Sequence, residues 1–94
     1  MAESKKCKLK WFDSKKGYGF LIVEGHDSDI FVHIKQIRTS GFGVISESGT
    51  AYFTDKAGAK LVDTVPMVCV VEDGAKGLHA VNISRTDIPP ILRM

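Results

Sequence analysis

The chain has 94 residues, 44% of them hydrophobic and 26% charged, with a net charge of +2. That length and composition describe one folded domain with a modest core and exclude a disordered chain; neither disulfides nor metal is required for stability. No apolar run approaches the ~20 residues of a bilayer-spanning helix, and the start MAESKKCKLK carries no apolar signal segment, so a cytoplasmic protein without a membrane partner is expected.

The first element in chain order is a lysine-rich strand. Residues 1–16 hold Lys5, Lys6, Lys8, Lys10, Lys15 and Lys16 against Glu3 and Asp13, a local balance of +4, which leaves −2 for the other 78 residues. A solvated first strand accounts for lysines alone; lysines beside exposed rings point to a surface that tracks phosphates. Further strands are expected at about 17–24, 29–34, 66–72 and 79–84, after a first at 5–13. The turns between them are DSKKG, EGHDS and EDGAKG, and IKQI has room for one helical turn. Pro66 suits only a strand start or an edge. Five short antiparallel strands close most economically into a barrel. Residues 43–60, GVISESGTAYFTDKAGAK, contain a candidate hairpin, TAYFT and AKLV around DKAG, with a surface loop as the alternative. The tail RTDIPPILRM cannot continue a strand through Pro89 and Pro90, although Ile88, Ile91 and Leu92 can dock on a barrel end. Cys7 and Cys69 sit in alternating apolar runs and read as buried reduced thiols, with a single disulfide as the alternative.

Side-chain parity separates two kinds of face. In GYGFLIV one parity carries Tyr18, Phe20 and Ile22 and the other Gly19, Leu21 and Val23; in DIFVH the split is Phe31 and His33 against Ile30 and Val32. The aliphatic parity fills a core, and the aromatic parity forms a platform of flat rings. KGYGF, residues 16–20, matches the aromatic motif of RNA-binding sheets through Phe20 and departs at Leu21 and Val23. An RNA-recognition-motif domain needs a strand, a helix and a second strand before this motif, and the residues preceding Lys16 leave no room for them.

Together, KLKWFDSKKGYGF, DIFVHI, SGF and GAKGLHAVNIS resemble the cold-shock domain in order and spacing, over about residues 7–42 and 61–84. The resemblance implies a five-stranded antiparallel OB-type β-barrel that binds single-stranded RNA or DNA and acts as a nucleic-acid chaperone. It implies stacking of bases on Trp11, Tyr18, Phe20, Phe31, His33 and Phe42. It also implies phosphate or sugar contacts from Lys8, Lys10 and Lys16, and a base-edge contact from Asp13, where the family usually has Asn. Tyr18, Phe20, Phe31 and His33 reach the open face by parity as well. Trp11 falls by strict alternation with Cys7 and Leu9, so its place on that face requires a bulge or a strand end. A packing role is the competing reading for Trp11 and Phe42, and Phe12 is the better core candidate. Ile34 stands where the family has an aromatic, Leu78 where it commonly has Pro, and His79 where it commonly has Gln. Relative to the family, residues 43–60 are an insertion, an extended loop or extra hairpin between strands three and four. Its Tyr52 and Phe53 are expected to pin it to the barrel rather than to extend the track. The domain is thus expected at 1–84, with 85–94 as a tail.

His26, His33, His79 and the cysteines show none of the paired spacings of zinc sites, HDSD lacks the rest of a calcium loop, and KGYGF opens no helix to cradle phosphate. No metal, cofactor or catalytic residue is expected, and a monomer is favoured. The function expected is therefore non-catalytic, low-specificity binding of single-stranded nucleic acid, with regulation of transcription or translation as its consequence. The alternative is a protein-interaction barrel whose aromatic face takes a peptide or subunit.

Overall fold

The computed structural model describes residues 4–62, 64–75 and 77–86. Its elements are β1 (Ser4–Asp13), β2 (Tyr18–Val23), β3 (Ile30–His33), α1 (Ile34–Thr39), β4 (Gly43–Glu47), β5 (Thr50–Thr54), β6 (Met67–Gly74) and β7 (Gly77–Arg85). Five strands close a barrel in the order β1-β2-β3-β7-β6, and β4 with β5 forms a separate two-stranded sheet. The five barrel strands lie where alternation and turn residues place them. Closure adds one feature that alternation hides: β3 meets β7 in parallel, through Phe31 and His79. Strand directions cannot alternate all the way round a ring of five, so at least one neighbouring pair must run parallel.

The core follows the aliphatic parity. Leu21, Val23, Ile30 and Val32 are buried, joined by Phe12, Ile37, Met67, Cys69, Ala80 and Ile83. Ile34, which shares parity with Ile30 and Val32, packs half-buried against this cluster. Cys7 and Cys69 are free thiols in contact, and hydrogen bonding to Cys69 together with burial pushes the Cys7 thiol up, so Cys7 stays protonated at neutral pH.

Residues 43–60 form a hairpin, but its pairing differs from the expected one. TAYFT pairs with GVISE, from Gly43 opposite Thr54 to Glu47 opposite Thr50, whereas AKLV contributes a single bridge from Lys60 to Thr54. The β4–β5 turn has φ of 51° at Ser48 and 80° at Gly49. Two successive positive values make the tight reversal that matches strand twist. DKAG does turn the chain, but Asp55 Oδ1 accepts from the amides of Ala57 and Ala59, both at 2.9 Å, and so closes a side-chain-capped loop instead of a ladder. Phe53, Ala51 and Leu61 enter the core, which anchors the hairpin to the barrel as the rings of an ordered surface segment must. The expected docking of Ile88, Ile91 and Leu92 lies outside the described residues.

Candidate functional site

Register brings the rings together. Phe20 pairs with Phe31 across β2–β3, and Tyr18 pairs with His33. On the other side of β2, Phe20 pairs with Trp11 and Tyr18 with Asp13. The β1–β2 register slips between Leu9 and Trp11, and this bulge reverses the parity of the strand end. Phe12 consequently turns into the core at 7% exposure, and Trp11 turns out at 44%. Gly19, opposite Phe12, makes the close approach at the bulge feasible: a Cβ there would overlap the Trp11 carbonyl oxygen and stand 2.7 Å from Phe12 Cδ2.

The result is one contiguous aromatic surface. Trp11 and Phe20 stack with centroids 5.9 Å apart and planes 26° apart. Tyr18 and Phe31 lie tilted at 5.4 Å, while Phe20 meets Phe31 edge-on at 6.1 Å and Tyr18 edge-on at 6.2 Å. Each ring braces its neighbours, which fixes the platform before any ligand arrives. Exposed His33 borders it, its Nδ1 accepting from the Lys35 amide at 3.1 Å and so capping α1. That bond leaves Nε2 as the free edge of the imidazole.

The remaining predicted residues divide. Asp13 Oδ1 accepts from the amides of Lys15 and Lys16 at 2.9 and 3.1 Å, so this carboxylate shapes the turn that carries Lys16 to the surface. Lys8 is exposed on the outer side of β1, opposite Ile22. Lys10 is also exposed, and its Nζ pairs with Asp29 Oδ2 at 2.8 Å. Phe42 does not join the platform. Gly41, with φ of 91°, turns the chain after α1, and the Phe42 ring packs 6.0 Å from Phe53 against the core.

A groove of about 560 Å³ runs off the platform between Phe20, Phe31, Gly74, Leu78 and His79. Leu78 and His79 were absent from the sequence-predicted site: Leu78 follows a turn, and His79 reaches Phe31 only through the parallel closure. Leu78 is 46% exposed, and His79 Nε2 lies 3.8 Å from Glu72 Oε1. Among the described residues, no three His, Cys, Asp or Glu side chains converge to hold a metal ion, and no helix is long and apolar enough to cross a membrane. A braced row of flat apolar faces with ammonium groups at its edge is suited to hold planar, anionic polymers.

Comparison with known proteins gives concordant findings. Residues 5–62 match the family model described as the 'Cold-shock' DNA-binding domain. The chain is 32% identical to the major cold shock protein of Micrococcus luteus over 77 residues, covering 82% of this chain and 91% of that protein. It is similar to the cold shock-like protein CspA of Shewanella violacea, at 32% identity over 83 residues, covering 88% of this chain and 96% of that one. With the cold shock-like protein CspE of Escherichia coli it shares 40% identity over 55 residues, 58% of this chain and 80% of the other.

Proposed function

The chain belongs to the cold-shock domain family, and from that premise we propose that it binds single-stranded RNA or DNA on the ring face with low sequence selectivity. The observation that carries this reading is the contiguous cluster of exposed Trp11 with half-buried Tyr18, Phe20 and Phe31 on one outer side of the barrel, beside lysines. Bases lie on these rings instead of on one another, and His33 adds a further flat edge. Every base has a π-face, so stacking holds any sequence. A strand held in this way is kept unpaired, which is the physical content of a chaperone role. No bond is made or broken, and the protein acts without catalysis. Lys8 and Lys16 neutralise phosphates, Asp13 holds the turn and meets a base edge, and Phe42 braces the hairpin beside the track. The unit is one domain whose last strand ends at Arg85, with 43–60 inserted; it works as a cytoplasmic monomer.

The salt dependence of binding tests this reading. Each phosphate neutralised on a single strand contributes roughly −0.7 to the log–log salt slope. With Lys8, Lys15 and Lys16 engaged and Lys10 held by Asp29, a pyrimidine oligonucleotide is expected to titrate with a slope of about −2. Asp29→Asn releases Lys10, so binding at low salt should tighten and the slope should steepen by about 0.7. A slope near zero in the wild-type protein would favour a peptide-binding face, and an unchanged slope in Asp29→Asn would place Lys10 off the track.

A further inference from the structure

The ring face continues past Trp11 and Phe20. Two residues along β2, Ile22 stands on the same side at 42% exposure, directly opposite Lys8; beyond it on β1, Lys6 lies opposite Val68 of β6. All four alternate with core-facing neighbours, Val23 beside Ile22 and Met67 and Cys69 beside Val68. With Pro66 and Glu24 they line an open groove of about 500 Å³. Lys10 and Lys60 pair with Asp29 and Glu47, but among the described residues no ion pair engages the ammonium of Lys6 or of Lys8. The groove therefore carries two uncommitted cations against one carboxylate, arranged around an exposed apolar side chain.

We infer that this groove extends the binding track: a further base rests on Ile22, and the phosphates on either side of it lie against Lys8 and Lys6. Two residues of strand advance by ~7 Å, the scale of one nucleotide step in an extended chain. The apolar surface thus repeats at the spacing that successive bases need, and cations flank it as a polyanion requires. Continuity with the rings and this charge balance single out nucleic acid as the occupant. The inference rests on the nucleic-acid reading above, and its consequence is that the protein prefers strands longer than the ring face alone accommodates.

The test compares a hexapyrimidine with a nonapyrimidine carrying its extra nucleotides at either end. Wild-type protein is expected to bind the longer strand about tenfold more tightly at low salt, from burial of Ile22 under one further base together with a further phosphate contact at Lys6. The double variant Ile22→Ser with Lys6→Gln should lose most of that gain while binding the hexamer within about twofold of wild type. Register statistics raise both proteins alike and cancel in the ratio, and unchanged hexamer binding certifies the fold. Lys6→Gln alone, an exposed substitution, should lose part of the gain and supplies the check if the double variant unfolds. A gain that survives in the variants, or no gain in wild type, would overturn the extension. So would a folded double variant that fails to bind the hexamer, because the groove would then belong to the primary site. Wild-type protein that ignores the hexamer as well would contradict the nucleic-acid reading itself.

Discussion

Replacing Phe20 with alanine is expected to weaken binding of a short pyrimidine oligonucleotide by about tenfold to a hundredfold, because a base–ring stack is worth ~1–3 kcal/mol. Phe20 is the ring with the most to lose: it contacts Trp11, Tyr18 and Phe31, so its removal deletes one stacking face and unbraces three others. The ring is half-buried on the outer side of β2, whereas the core parity of that strand belongs to Leu21 and Val23. The barrel should therefore still unfold cooperatively, at a moderately lower temperature. Binding titration and thermal unfolding of the same sample separate the two effects. Normal affinity in a strongly destabilised Phe20→Ala protein would make the ring a structural element and dissolve the platform.

Gly19→Ala should strike the fold first and the site through it. Gly19 is needed for space, since the added methyl group would meet the Trp11 backbone carbonyl and the Phe12 ring and neither is the far end of a flexible side chain. Overpacking of this kind costs typically 1–3 kcal/mol, and more when backbone must move. At ~3 kcal/mol the melting temperature of a domain this size falls by roughly 10–20 °C. The strands must separate at the bulge that turns Trp11 outward, so residual folded protein should also bind oligonucleotide less well. A loss of only one or two degrees would mean that β1 and β2 relax freely here and that the bulge does not depend on close approach.

How much of this was legible beforehand differs from residue to residue. Tyr18, Phe20, Phe31 and His33 were placed by alternation alone, because β2 and β3 pair without interruption and a two-residue period survives intact. Trp11 was not. A bulge changes parity without leaving a mark on composition, so only the resemblance of KLKWFDSKKGYGF to a known pattern put that ring on the open face. Phe42 shows the opposite case: its partner Phe53 lies outside the motifs that carry the resemblance, and the contact that draws it toward the core was invisible. GVISE has only Val44 and Ile45 between Gly43 and the polar Ser46 and Glu47, too short a β-branched run to announce a strand, and it became one because the Ser48–Gly49 reversal laid it against TAYFT. The pairing of Lys10 with Asp29 joins residues 19 apart in sequence and exists only once three strands have assembled.

Amide-shift mapping during titration with a short pyrimidine-rich oligonucleotide tests the central claim most directly, since it reports binding and location together. The account predicts perturbations centred on Trp11, Tyr18, Phe20, Phe31 and His33, with the Trp11 indole N–H among the largest and Lys8 and Lys16 at the margins. Shifts confined to the outer face of β4–β5 and α1, or none at all under conditions where the barrel is folded, would contradict it.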